Sequence, residues 1–247
     1  MPLLSMKLKD EIARIFVKRI EAHAKAQILG NPKLKEYLEH YAKTSPSTGC
    51  SYSDYAVLYN WIRKNKPKEV LELGTGYSTL VIYQALKENE AEGVKGRLVS
   101  MEENKDYYEA ALRSLPKGVN VEIVLSPAVE DTYDFFRGVR YKDVPKRDYD
   151  LVFVDGPDKM MHPKRRPLAF CMDVLSLVGD HPLTAIIDKR LSTCFVYSLL
   201  FKRFRYDFLR EIGVLGPVTK KDLRSGREIS KKQKTSYLSE YSAKEKI

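Results

Sequence analysis

Residues 69–80 read EVLELGTGYSTL. Glu69–Leu73 is a short apolar run broken by a single acid, as expected of a buried strand. Gly74 and Gly76 follow, where the backbone must turn sharply and let a ligand approach closely. A helix starting near Ser78 would present free backbone N–H groups, which suit an anion. A dinucleotide loop of the form GxGxxG carries a third glycine where this chain has Thr79, which argues against NAD. Glu72 argues the same way, because a carboxylate beside the loop repels a pyrophosphate but attracts an amino group or a sulfonium. The plainer alternative for Glu72 is that it accepts hydrogen bonds from the amides of the loop.

Working outward, strands are expected at Glu69–Leu73, Arg97–Met101, Val119–Leu125, Tyr149–Val154 and Leu183–Asp188. Helical patterns over Thr79–Asn89, Lys105–Leu115, Val129–Arg137 and Pro167–Val178 separate them. The alternation predicts an α/β fold with a doubly wound, mostly parallel sheet covered on both faces. The residues that matter should then lie just after each strand, at the carboxyl edge. Past a helix over Ser192–Phe204, Tyr206–Ile212 and Val214–Val218 suggest an antiparallel ending. Upstream, apolar residues at helical spacing predict helices over residues 6–29 and Lys33–Ala42, and Ser53 is placed to cap a third over Asp54–Lys64. The expected division is a helical cap at 1–48, a central domain at 49–219 and a basic, flexible tail at 220–247.

The 247 residues carry a formal charge of +10, which favours anionic contacts in general, nucleic acid included. Much of the excess lies between Lys220 and Lys246, which reads as a solvated tail. Cys50, Cys171 and Cys194 form no CxxC pair, so neither a disulfide framework nor a zinc site is expected. The N-terminus has no signal-peptide pattern, and no run approaches the roughly 18 apolar residues of a membrane span. A cytoplasmic protein is the expectation.

The second strand ends in Met101-Glu102-Glu103, where an acid is placed to accept hydrogen bonds from both hydroxyls of a ribose. Glu102 suits this role better than Glu103, which can cap the next helix. Taken together, VLELGTGYSTL (70–80), LVSMEEN (98–104) and DYDLVFVDGPD (148–158) resemble the class I S-adenosylmethionine-dependent methyltransferases, nearest the O-methyltransferase-like branch. The resemblance spans roughly Ser53–Asp188. It implies a Rossmann-like fold, S-adenosyl-L-methionine as cofactor, and a loop of Gly74, Thr75, Gly76 and Ser78 around it. Glu72 and Gly74 would face its methionine end and Glu102 its ribose. Relatives often read the adenine with an acid after the third strand. This chain has Ser126-Pro127-Ala128 there, leaving the backbone at Ala128 or the nearby Glu130.

The fourth strand runs into DYDLVFVDGPDKMMHPKRRP (148–167), the stretch richest in chemistry. Asp155 ends the strand, where related enzymes face both the methyl group and the acceptor. Methyl transfer to a hydroxyl needs an aligned nucleophile and a base, and Asp155 or His162 is placed to take the proton. Lys159, Arg165 and Arg166 are placed to orient an anionic acceptor. Asp155, His162 and Lys159 are the catalytic candidates.

Catechol-type relatives hold a divalent metal between an Asp after the fourth strand and an Asp-Asn pair after the fifth. Asp155 and Asp188 match, but Lys189 stands in place of the Asn, so no metal is expected. The Asp/Asn-Pro-Pro-aromatic signature of base methylation is missing after Val154. The favoured reading is a methyltransferase acting at oxygen on a small or medium-sized acceptor. A nucleic-acid methyltransferase and a non-catalytic nucleoside-binding module are the rivals.

Overall fold

The computed structural model describes residues 2–47, 49–134, 136–158, 160–161, 166–167, 170–226 and 228–229. Along the chain come α1 (Pro2–Gly30), α2 (Pro32–Thr44), α3 (Tyr52–Asn65), β1 (Glu69–Leu73), α4 (Tyr77–Ala91), β2 (Arg97–Glu102), α5 (Lys105–Ser114) and β3 (Glu122–Leu125). Then follow β4 (Ala128–Tyr133), β5 (Phe136–Tyr141), β6 (Leu151–Val154) and the two-residue strands β7 (Met160–Met161), β8 (Arg166–Pro167) and β9 (Phe170–Cys171). The chain continues with α6 (Asp173–Leu177), β10 (Leu183–Asp188), α7 (Leu191–Leu200), β11 (Phe204–Asp207) and β12 (Ile212–Val218).

The main sheet has the order β11-β12-β10-β6-β1-β2-β3. The five strands from β10 to β3 are parallel, and β12 pairs antiparallel with β10 and with β11. This is the expected Rossmann-like arrangement with its antiparallel ending. From β1 the chain winds outward to β3 and then returns to β6 on the other side of β1. The crevice at that reversal, between the carboxyl ends of β1 and β6, is where such a sheet takes a ligand.

Strand geometry sends alternate side chains to opposite faces. Val70, Leu151, Phe153 and Ile186 pack with Leu58 and Ile62 of α3 and Ile82 of α4. Leu71, Leu73, Val152, Val154, Ala185 and Ile187 pack on the other face with Tyr141, Phe170, Val174 and Tyr197. By the same alternation Glu72, Ser100, Glu102, Asp155 and Asp188 fall on the α3 side. The apolar faces of α1 and α2 close over that layer through Ala24, Ile28, Leu34 and Leu38, which meet Tyr55, Ala56 and Val81.

Three local expectations are corrected. The helix expected at Val129–Arg137 is an antiparallel hairpin of β4 and β5, in register from Ala128↔Tyr141 to Tyr133↔Phe136. Its β-branched and aromatic residues suit a strand, Asp134 takes a left-handed conformation (φ 55°) at the turn, and Gly138 leaves no room for a side chain. A Cβ there would fall 2.9 Å from the Phe170 carbonyl and closer still to Met172. The helix expected at Pro167–Val178 shrinks to Asp173–Leu177, because Phe170–Cys171 pairs with β5. Ser51, the residue directly before α3, is its cap in place of Ser53: its hydroxyl accepts from the Asp54 amide, and the Asp54 carboxylate accepts from the Ser51 amide.

Packed chain also runs past residue 219. Leu223 bridges to Phe201, and Ile229 is buried in the larger core; the remainder of the expected tail lies outside the described residues. Among the described residues no helix is long and apolar enough to cross a membrane. Leu34, fully buried between α1, α2 and α3, tests the packing of the N-terminal helices. Leu34→Ala should lower unfolding free energy by about 2–5 kcal/mol in a denaturant titration, while Leu112→Ala on the exposed side of α5 should change it by less than about 0.5 kcal/mol.

Candidate functional site

The turn after β1 is held from below. Glu72 is fully buried, and its carboxylate accepts three hydroxyl hydrogen bonds: Ser78 Oγ at 2.6 Å, Thr79 Oγ1 at 2.5 Å and Ser100 Oγ at 2.6 Å. Burial raises its pKa from 4.5 to about 7, against the pull of those donors. Thr79 also accepts from the Gly76 amide at 3.0 Å, and Thr75 Oγ1 lies 2.8 Å from Ser100 Oγ. Glu72 therefore fixes the loop from beneath rather than facing a ligand, close to its plainer expected role but through hydroxyls in place of amides. Thr79, where a dinucleotide loop has glycine, is one of those hydroxyls.

Gly74 has a left-handed φ of 101°, and a Cβ on it would lie 3.0 Å from the Asp155 carbonyl carbon and the Gly156 nitrogen. The turns after β1 and β6 thus touch backbone to backbone, which only glycine allows. Above them opens a cleft of about 540 Å³, within the range of small-molecule sites. Gly74, Thr75, Gly76, Ser78, Glu102 and Asp155 all line it. Glu102, 8% exposed, accepts from the Asn104 amide at 2.9 Å, and burial raises its pKa to about 7.

Ala128 starts β4 and is not among the lining residues, while Glu130 pairs with Arg137 along the hairpin. Lys159, His162 and Arg165 lie outside the described residues, as does the side chain of Arg166. Asp158 lines the cleft, and its amide donates to the Glu103 carboxylate at 2.8 Å.

Beside Asp155 the structure gathers Asp188 and Lys189, noted in the sequence, with Cys50, Asp54 and Arg190, which motif reading passed over. The Cys50 thiol donates to Asp155 Oδ2 at 3.2 Å, and burial, then the Asp155 charge, push the thiol far above its ordinary pKa. Asp54 and Asp188, 1% and 6% exposed, each keep one oxygen without a hydrogen-bond partner. Burial and then the Asp188 charge raise Asp54 to about 6, and burial and then the Asp155 charge raise Asp188. Burial also raises Asp155, opposed by Arg190. Arg190 donates to the carbonyls of Asp155 and Pro157, tying the turn after β6 to the end of β10. Lys189 Nζ sits 3.8 Å from Asp54. Arg190 follows a strand at the carboxyl edge, so the topology rule alone could have flagged it; Cys50 belongs to no motif.

Ligand atoms of Cys50, Asp155 and Asp188 lie within 4.8 Å of one another. Magnesium and calcium take oxygen donors, whereas this set includes a thiol that keeps its proton and two neighbouring cationic side chains. The donors do not suit the catechol-type metal, and no chemical step is derived through one. S-adenosylmethionine does suit the cleft. Acids line the cleft, a carboxylate ends β2 where ribose hydroxyls would meet it, and the Gly74 turn would not tolerate a side chain.

A family model described as a methyltransferase domain matches residues 71–176. No curated protein matches the chain. Among solved structures, the SAH-bound methyltransferase PaMTH1 of Podospora anserina is 18% identical, covering 72% of this chain and 71% of its own, with a TM-score of 0.44. An O-methyltransferase from Bacillus cereus in complex with SAH is also 18% identical, covering 70% and 74%, with a TM-score of 0.41.

Because folding raises the pKa of Glu72, the folded state binds its proton more tightly than the unfolded chain does. Its contribution to stability is complete below pH 4.5 and fades as the pH rises toward 7. Glu72→Gln should therefore lessen the loss of stability across that interval; denaturation midpoints with an unchanged pH slope would remove Glu72 from this account.

Proposed function

We infer that this chain, with a methyltransferase domain over residues 71–176, is an S-adenosylmethionine-dependent enzyme that methylates an oxygen of a small or medium-sized acceptor. The observation that carries the reading is the position of Asp155. It directly follows β6 at the sheet's reversal, borders the cleft, and has a pKa raised by burial. When bound, S-adenosylmethionine supplies a methyl group activated by its sulfonium.

The chain's own part is to bind, align and take a proton. Glu102 accepts from the ribose hydroxyls, with Asn104 and Tyr107 beside it. Gly74–Ser78 border the methionine end. Asp155 receives the proton of the acceptor hydroxyl, and a raised pKa makes it a better base at neutral pH than an exposed aspartate. Arg190 holds the turn that carries Asp155, and Cys50 orients one of its oxygens. Lys159 and His162, on the segment after Asp155, belong to the same proposal as residues facing the acceptor, with Lys159 meeting an anionic group on it. The proposed catalytic unit is residues 49–219 with the helices of 1–48 as its cap. A cytoplasmic setting accords with its three free cysteines.

Glu102→Ala should weaken S-adenosylhomocysteine binding roughly 10- to 100-fold in calorimetry, as expected for losing hydrogen bonds to a charged acceptor. An unchanged affinity would detach Glu102 from the ribose. Asp155→Asn should keep cofactor affinity within a few-fold and lower turnover by roughly 10²- to 10⁴-fold on an acceptor found by screening hydroxylated compounds. Since Asp155 acts deprotonated, wild-type turnover should fall as the pH drops through its pKa. Full activity in the variant would assign the base elsewhere.

A further inference from the structure

A second cavity adjoins the cofactor cleft on the side of the N-terminal helices. It measures about 400 Å³, within the range of small-molecule sites. Leu38 and Tyr55, almost fully buried, line it from the core shared by α1, α2 and α3, and Leu29, Tyr52 and Tyr77 line it as half-buried side chains. Cys50 and Tyr77 border the cleft as well, so the two spaces share a wall. The Cys50 thiol donates to Asp155 Oδ2 at 3.2 Å, which puts that wall one hydrogen bond from Asp155.

The chemistry of the lining is that of rings, aliphatic carbon and one open charge. Tyr52 and Tyr55 meet edge to face, with centroids 5.9 Å apart and planes at 82°. Rings held this way accept a further flat π-system by stacking or by edge contact. Of the charged residues lining the cavity, Glu39 pairs with Lys35 at 4.0 Å, whereas Lys25 forms no ion pair with any described residue. The Lys25 ammonium stands over the Tyr52 ring, 5.4 Å from its centroid. A ring face takes up none of the ammonium's N–H donors in an ordinary hydrogen bond, so they are open to an anion.

We propose that this cavity is the acceptor subsite and takes a flat aromatic body with an anionic end. The acceptor's hydroxyl reaches past Cys50 to Asp155, its ring lies among Tyr52, Tyr55 and Tyr77, and its anionic end meets Lys25. The assignment rests on the methyltransferase reading above, because it places the reacting hydroxyl at Asp155. It also gives the N-terminal helices a part in choosing the acceptor, through Lys25 and Leu29 of α1 and Leu38 and Ala42 of α2.

Calorimetry on the full chain saturated with S-adenosylhomocysteine tests this with 6-hydroxy-2-naphthoate, uncharged 2-naphthol and the fully saturated analogue of the naphthoate. The wild type should bind the naphthoate. The naphthol should bind roughly fivefold more weakly for want of the contact with Lys25, and the saturated analogue roughly fivefold more weakly for want of ring contacts. Lys25→Gln should remove the preference for the naphthoate over the naphthol. Ala42→Trp, which fills the cavity with a bulky side chain, should weaken naphthoate binding by roughly tenfold or more. Both residues are exposed, and unchanged thermal midpoints and S-adenosylhomocysteine affinity show that each variant keeps its fold and its cleft. A wild type that binds S-adenosylhomocysteine but not the naphthoate, a naphthoate affinity that either substitution leaves unchanged, or a naphthol or saturated analogue bound as tightly overturns the subsite and leaves the methyltransferase reading standing. A wild type that fails to bind S-adenosylhomocysteine overturns both.

Discussion

A carboxylate buried in the middle of a parallel sheet holds the cofactor end of this protein together. Glu72 leaves water entirely, which is unfavourable for a charge unless donors replace the lost hydration. Three hydroxyls do so, and they come from different elements: Ser78 and Thr79 from the first turn of α4, Ser100 from β2. The requirement to satisfy Glu72 therefore sets the start of α4 against β1 and β2, and with it the path of the glycine turn between them. An apolar residue would relieve the desolvation but take from all three buried hydroxyls the carboxylate they donate to.

The remaining chemistry follows from the parity of the strands. Counting alternately from Val70, Leu98, Leu151 and Ile186, the α3-facing positions at the strand ends are Glu72, Glu102, Asp155 and Asp188. Acids on or just after four parallel strands thus collect on one side of one edge, where Cys50, just before α3, and Asp54, in its first turn, join them. Arg190 reaches back from the end of β10 to the carbonyls after β6 and fixes the turn that closes against Gly74.

Much of this was legible in the sequence because each parallel strand is a short apolar run, and each functional acid is the polar residue that ends or interrupts it. The hairpin of β4 and β5 was less visible. Val129–Arg137 has polar residues at intervals compatible with either period, and its choice of strand depends on tertiary facts: the space denied to a side chain at Gly138 and the pairing of β5 with Phe170–Cys171. Ser51 and Ser53 are equally good caps as residue types, and the choice falls to Ser51 through its reciprocal bonds with Asp54. Cys50 and Asp54 became site neighbours only when α3 was laid across the strand ends, since no local spacing relates residue 50 to residue 155.

The charges at this edge have one further consequence. Asp54, Glu102, Asp155 and Asp188 are all raised in pKa by burial first. The two nearby cations relieve this only locally, Lys189 beside Asp54 and Arg190 at the turn after β6. These carboxylates thus hold protons more tightly than exposed ones would, and a positively charged ligand opposes that. A cation entering beside these carboxylates lowers their pKa values and expels protons, so binding and deprotonation favour each other by linkage. The gathering of buried acids at this edge thereby favours a cationic ligand, and such a ligand shifts Asp155 toward the charged form that a base requires.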